Sequence, residues 1–410
     1  MQTEVIWIWL AQGCGAGTDT WGKLKAAGLS PFDVFAADKS TFEPLIGRKT
    51  ATIARLSQKD TTEAERIFAQ CQALDITVLY DGHPEYPKSL YCLSNPPPVL
   101  YLKGKLMPSA WSDAVSIVGT RNVSDYGARM AYRIAAEIAS AGGTVISGLA
   151  LGTDAIAHAG ALSAKGKTVA FLANGLDTIS PTSHRVLGEA IEETGALVSE
   201  YSPGTPPSRY AFPLRNRLVA AVSAAVLVIE GKVKSGSLIT GRLGMELKKP
   251  VYALLGRVDE ENAEGPMKLL EEGARMLKDG QTVISQMPTL FSPPSPEALQ
   301  DLPPLSEAML RYEVETGKGH TPVKAKPTPK KEKLQEEKAQ PSSFPSPEVL
   351  ASLTEPMREV YFRIPAEGSC HVDELATDTL PSFRVMRILT LLEIAGLICR
   401  LPGGAVKRKS

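Results

Sequence analysis

Four short segments of this 410-residue chain combine glycine, hydroxyl and cationic side chains in the way an anion site needs. In Gly119-Thr-Arg-Asn-Val-Ser-Asp-Tyr-Gly127 an apolar run ends in Gly119, Thr120 and Arg121 and a helix opens. Glycine lets a phosphate approach the backbone, amides at a helix start point toward it, and a guanidinium can hold two of its oxygens. A second turn, Ser147-Gly-Leu-Ala-Leu-Gly-Thr-Asp154, closes a strand with Ser147 and Gly148 and offers Asp154 as the cap of the following helix. In Phe212-Pro-Leu-Arg-Asn-Arg217, behind the aromatic Phe212, Arg215 and Arg217 flank Asn216 as two planar cationic forks. The fourth, Lys234, Ser235, Gly236 and Ser237, adds a charge, hydroxyls and free amides at another helix start.

The same residues exclude several chemistries. The first loop is not GxGxxG, and no acidic ribose-binding partner can be assigned, so dinucleotide binding is not expected. Gly231-Lys232 imitates a P-loop, but no glycine stands five residues earlier and neither Ser nor Thr follows the lysine. Val226 to Glu230 resembles the acidic strand end of an ATPase without its partner motif. There is no GxSxG elbow, no HExxH and no carboxylate pair spaced for acid and base roles. His158 has no third ligand near it in sequence, and none of Cys14, Cys71, Cys92, Cys370 and Cys399 is spaced as CxxC. The expectation is therefore a binder rather than an enzyme, with no catalytic residues, cofactor or metal.

The elements that must position these loops follow from the apolar pattern. From Ala114 onward the chain repeats a short apolar run, a glycine-containing turn and an amphipathic stretch. The runs are Val115–Val118, Thr144–Ile146, Thr168–Leu172, Ala196–Val198, Ala225–Ile229 and Val251–Leu255. Met130, Ile134, Ile138 and Ala141 fall on one helical face. Alternating strands and helices predict an α/β, Rossmann-like domain over residues 111–287, a mainly parallel sheet with helices on both faces and ligands at the strands' carboxyl ends. Residues 1–75 read as a small helical, SAM-like domain, and 76–110, rich in proline and aromatics, as an ordered connector. Residues 288–345 read as a flexible linker of Pro, Ser, Lys and Glu. In 346–410 short helices before a terminal Gly-Gly ribbon predict a winged helix.

Forty-five basic residues balance 45 acidic ones, so any field that draws nucleic acid has to be local. Between Thr205 and Arg257 nine basic residues face only Glu230 and Glu246. The scattered cysteines predict a reducing cytoplasm, and the apolar run Val5–Leu10 is far shorter than the ~18 residues of a membrane span.

Taken together, Gly119-Thr-Arg121, Ser147-Gly-Leu-Ala150, Ser199-Glu-Tyr-Ser-Pro-Gly-Thr205, Phe212-Pro-Leu-Arg-Asn-Arg217 and Ser235-Gly-Ser-Leu-Ile-Thr240 resemble the DprA/Smf family, five motifs in order. The Tyr86-Pro87 and Pro96-Pro-Pro-Val-Leu-Tyr101 entry resembles it too. The resemblance implies a protein that protects incoming single-stranded DNA during natural transformation and loads the RecA recombinase, as a homodimer through its Rossmann-like domain. It places the DNA pocket on Arg121, Ser147, Gly148, Phe212, Arg215, Asn216, Arg217 and Lys234 to Ser237. The chain departs from the family's pattern at Leu151, where an arginine is usual, at Leu255-Gly256 for Pro-Gly, and at Met267 for an asparagine.

Two other readings compete. A phosphoribohydrolase would share the fold class, but its PGGxGTxxE motif is missing. A transcription regulator would use the winged helix on duplex DNA, with Lys407-Arg-Lys409 as a contact.

Overall fold

The alternating apolar runs become a single nine-stranded sheet in the order β1-β2-β6-β5-β4-β3-β7-β8-β9. The structure is a computed structural model and describes residues 2–47, 49–105, 111–292 and 299–317, then 355–365 and separate positions up to 408. It divides into two compact units, Met1–Lys326 and Pro327–Ser410.

The strands are β1 (Thr77–Tyr80), β2 (Val99–Gly104), β3 (Ala114–Val118), β4 (Thr144–Ser147), β5 (Lys167–Leu172), β6 (Ala196–Ser199), β7 (Ala225–Val228), β8 (Val251–Leu254) and β9 (Arg275–Leu277). From β6 to β9 all pairs are parallel. β1 and β2 pair antiparallel and extend the β6 edge. Strands β3, β4, β6, β7 and β8 are buried throughout, as expected where helices cover both faces.

Alternation along each strand feeds two cores. Val115, Ile117, Val145, Leu197 and Leu227 point to one side, against Ile134 and Ile138 of the helix Asp125–Ser140, Ile156 of Thr153–Ser163 and Leu187 of Arg185–Thr194. Ala114, Val118, Ile146, Phe171 and Val228 point to the other, against Leu218 and Val222 of Ala211–Val222, Leu238 of Gly236–Glu246 and Leu269 of Glu264–Glu271. Parallel strands feed successively outward from β3 to β6 and then from β7 to β9, so the chain reverses direction across the sheet between β3 and β7. That is the switch point of a doubly wound sheet, where the loops at the carboxyl ends part and leave a crevice.

Two expectations need correction. The Pro-rich stretch expected as a connector supplies β1 and β2 of the sheet: the apolar run Val99–Leu102 pairs with β1, and Tyr101–Gly104 pairs with β6 and covers its edge. Residues 299–317, expected as linker, include the helix Leu305–Arg311, with Ala308 and Val314 fully buried. The rest of that expectation, 318–345, lies outside the described residues.

Before the sheet, helices Thr3–Cys14, Thr20–Ala26, Pro31–Ala36, Lys39–Ile46, Thr50–Ser57 and Thr62–Ala73 enclose Ile6, Ile8 and Leu10. The run Val5–Leu10 is thus the core of a helical N-terminal part. Asp81, at the end of β1, ties it down: it accepts from Trp21 Nε1 at 2.8 Å, Lys25 Nζ at 2.7 Å and Tyr91 Oη at 2.7 Å.

In the second unit Val360 and Tyr361 of the helix Glu355–Arg363, and Ile364 just after it, pack with Val385, Leu389, Leu392, Ile398 and Val406. Strands β10 (Cys370–His371), β11 (Ile398–Leu401) and β12 (Ala405–Arg408) form an antiparallel sheet in the order β10-β12-β11. The antiparallel ribbon of β11 and β12 is the wing of a winged helix, and the Gly-Gly pair between them lies outside the described residues. Most of the expected segments Val372–Ala376 and Phe383–Ile394 lies outside the described residues. Among the described residues no helix is long and apolar enough to cross a membrane.

Candidate nucleic-acid interface

The crevice between β3 and β7 is an open cavity of about 340 Å³. Gly119, Thr120 and Arg121 from the loop after β3 form one wall, and Ser235, Gly236 and Ser237 after β7 form another. Phe212, Arg215 and Asn216, on the first turns of the helix Ala211–Val222, close the third. Nine of the thirteen sequence-expected site residues therefore line one cavity, together with Asn122, Ala150, Asp154, Pro213 and Thr240.

Each wall is built for a local reason. Gly119 has no room for a side chain, because a Cβ there would lie 2.4 Å from Thr153 Oγ1. Thr153 in turn donates through its hydroxyl and its amide to Thr120 O at 3.0 and 3.2 Å. Arg121 is exposed and projects over the Phe212 ring, its guanidinium carbon 5.3 Å from the centroid, a cation–π stack that spreads a cationic plane over the mouth. Among the described residues Arg121 makes no ion pair. Opposite, Ser235 caps the helix Gly236–Glu246 by accepting from Leu238 N, and its hydroxyl meets Ser237 Oγ at 2.9 Å. Amides and hydroxyls at a helix start favour negative charge.

Arg215 is buried beneath this cavity. Its Nη1 donates to Gly148 O at 2.6 Å and to Phe171 O, and its Nε to Asn216 Oδ1 at 3.1 Å, which turns the Asn216 amide nitrogen outward. Burial lowers the proton affinity of the guanidinium, and Asp154 counters that. Burial likewise pushes the Asp154 carboxyl above its ordinary range, opposed by Arg215 and by the hydrogen bonds it accepts, one of them from Gly148 N at 3.1 Å. Asp154 is thus not the helix cap expected; Gly152, with φ +77°, takes that place, and Asp154 folds back onto the Ser147-Gly148 turn.

Three other expected residues do not face the cavity. Ser147 is fully buried and donates to Ile117 O at 2.6 Å, holding β4 to β3. Gly148 lies behind Arg215, where a Cβ would come within 2.3 Å of the guanidinium. Lys234 is exposed on the loop beside the cavity rather than in its lining. The fourth, Arg217, is a correction. It points away, pairs with Glu200 at 2.5 Å with both side chains under a tenth exposed, and donates to Asn95 O at 2.8 Å. One helical turn cannot aim residues 215 and 217 into the same crevice, since i and i+2 lie on different faces.

Family models supply the identity of this arrangement. Residues 77–288 match the model of DNA recombination-mediator protein A and residues 344–404 that of the DprA winged helix domain. The chain belongs to the DprA/Smf family. The DprA of Bacillus subtilis is 32% identical over 240 residues, 58% of this chain and 81% of that protein. Protein Smf of Synechocystis is 36% identical over 235 residues, 57% of this chain, and the match spans 59% of its length. The X-ray structure of Streptococcus pneumoniae DprA superposes with a TM-score of 0.61 at 28% identity, covering 70% of this chain and 99% of that one.

Within the DprA fold the local charge count overstates the available field. Of the nine basic residues between Thr205 and Arg257, Arg217, Lys232, Arg242 and Arg257 pair with Glu200, Glu261, Glu272 and Asp259, all outside the counted window. Lys249 donates to the carbonyls of Ala221 and Ser223. Of the other four Arg215 is buried, and Arg209, Lys234 and Lys248 are exposed; over the cavity itself stands Arg121, from outside the counted window. Glu230, which imitated an ATPase carboxylate, instead accepts from Ser124 N at 2.9 Å and Ser124 Oγ at 2.5 Å and braces the start of the helix Asp125–Ser140. His158 is fully buried, its Nδ1 2.6 Å from Thr168 Oγ1, and burial lowers its pKa to about 3. Among the described residues no group of His, Cys, Asp and Glu is arranged to hold a metal.

Proposed function

We propose that the switch-point cavity grips the sugar–phosphate backbone of single-stranded DNA, and that the chain protects incoming strands in the cytoplasm and loads RecA onto them during natural transformation. The observation that supports this most is the exposed Arg121 guanidinium stacked on Phe212 across from the Ser235–Ser237 helix start. The stack offers charge and an aromatic face to a strand whose bases are unpaired. The helix start offers amides and hydroxyls to a phosphate. Arg215 acts from below, holding Gly148 and Asn216 in place. Lys234 extends the basic rim. Family membership supports the recombinase partnership and a homodimer through the Rossmann-like domain. In this reading residues 111–287 carry the DNA site, and 1–75 and 346–410 are accessory.

The test is a titration of the purified full chain with labelled oligothymidylate and with a duplex of the same length, across salt. Preference for the single strand, lost when Arg121 becomes alanine, is the expected result. Equal or tighter binding of the duplex would favour the winged-helix regulator instead. RecA filament assembly on strands coated with a single-strand-binding protein, with and without this chain, tests the loading step.

A further inference from the structure

Residues 299–317 lie between the two family matches, which end at 288 and begin at 344. They nevertheless reach the loop that carries Arg121. The segment leaves the sheet with Tyr132 Oη donating to Pro303 O at 2.8 Å, and its helix Leu305–Arg311 packs against Thr153–Ser163. Val314, fully buried, then anchors the stretch that follows the helix. From it Glu315 O accepts from Gly152 N at 3.0 Å, and Gly317 N donates to Arg121 O at 2.9 Å. Glu315 N donates to Nε2 of His184 at 3.1 Å, while the other ring nitrogen of His184 donates to Leu149 O at 3.0 Å.

These bonds bracket one peptide. On its near side Thr153 holds Thr120 O. On its far side Gly317 holds Arg121 O, and Gly152 leaves no space between, since a Cβ there would lie 2.3 Å from Arg121 O. An exposed arginine contributes to binding only as far as its backbone is held where the side chain can stack and reach. We propose that residues 312–317 are a strap that positions Arg121 for DNA, with His184 and Val314 as its positioning residues. The affinity of the pocket then depends on a stretch outside both family domains. The inference rests on the reading of the pocket as a single-strand site.

His184 is neutral in this arrangement, because one ring nitrogen donates and the other accepts. Glutamine can reproduce both roles through its amide, and leucine neither. The experiment measures binding of labelled oligothymidylate to the full chain across salt, by anisotropy, for R121A, V314D, H184L, H184Q and the strap changes combined with R121A. R121A should weaken binding roughly tenfold or more, the scale of a lost charge-assisted hydrogen bond. V314D and H184L should approach that loss and flatten the log–log salt slope by about 0.7, one single-strand phosphate contact. Adding R121A to either should cost little more, since both remove the same contact. H184Q should bind like the parent chain. Melting midpoints guard against unfolding, and if V314D does not fold, the H184L and H184Q pair decides. Strap variants that bind like the parent, or penalties that add to that of R121A, would overturn the inference while leaving the pocket reading intact. An R121A chain that binds normally would sink the pocket reading itself.

Discussion

Replacing Arg217 separates two roles that the FPxRN(R) segment invites one to merge. Arg217 and Glu200 are 7% and 5% exposed, and their ion pair is 2.5 Å long. Burial pushes the Glu200 carboxyl above its ordinary range, and the facing Arg217 opposes that shift first. Glu200 also accepts from Gly17 N at 3.1 Å, and Asn95, whose carbonyl Arg217 binds, donates to Gly17 O at 2.8 Å. Removing the guanidinium leaves a buried carboxylate without its partner and loosens the seat of the N-terminal helices. The expected cost of Arg217→Ala is about 3–5 kcal/mol, the range for breaking one side of a buried pair. Because neither group is solvent-screened, the full range applies. Denaturant unfolding reads this as a lower midpoint at constant slope. Replacing both partners, Arg217→Met with Glu200→Gln, should recover most of the loss, because no uncompensated charge remains. Binding of oligothymidylate by the folded fraction should keep the parent salt slope. A chain with Arg217→Ala that unfolds like the parent but binds DNA with a flatter salt dependence would refute this reasoning and return Arg217 to the phosphate contacts.

Arg121→Ala and Lys234→Ala should each flatten the salt dependence of oligothymidylate binding by about 0.7, similarly for different base sequences, since phosphate contacts carry no sequence information; gel shifts over a salt series measure it. Gly148→Ala should destabilise the fold and abolish binding together, because its Cβ would meet a guanidinium that two carbonyls hold still; a folded, binding-competent variant in circular dichroism and anisotropy would contradict it. His158 contributes a pH dependence. Its folded pKa, near 3, lies below the unfolded value near 6.5, so the unfolded chain binds the extra proton between those limits. Stability is then unaffected above about pH 6.5 and falls by up to about 1.4 kcal/mol per unit as the pH drops below it. His158→Leu should flatten that fall in unfolding titrations between pH 7 and 5.

The sheet was legible where its strands are continuous apolar runs with glycine turns between them, and the six runs from Val115 to Leu255 all form strands. β1, β2 and β9 were not, for different reasons. β2 follows three prolines, which read as irregular chain although they only initiate the strand. β9 is a three-residue edge strand whose Arg275 and Met276 are exposed, so no apolar period marks it. A fragment cut at residue 105 would lose the two strands that cover the β6 edge. Asn122 and Thr240 lie within or beside the quoted motifs, and only the assembled crevice brings them together. The strap left no sequence signal beyond a short apolar spacing within a Pro-rich stretch.

Charge was the least transferable part of the reading, and the reason bears on how the site works. A window of sequence counts cations but not the anions that folding delivers from elsewhere, and Glu200, Glu261, Glu272 and Asp259 all arrive that way. Two arginines two residues apart end in opposite environments because a helix turns through about 100° per residue. Arg215 faces the floor of the crevice and Arg217 the seat of the N-terminal helices. The cation stacked over the cavity is Arg121, in a loop with no basic neighbour in sequence. In the proposed reading, a site built on one stacked guanidinium and a helix start, rather than on a broad basic surface, responds strongly to any displacement of the Arg121 loop. On that reading the bonds from Thr153, Gly152 and Gly317 around residues 120 and 121 matter more to the affinity than the number of lysines nearby.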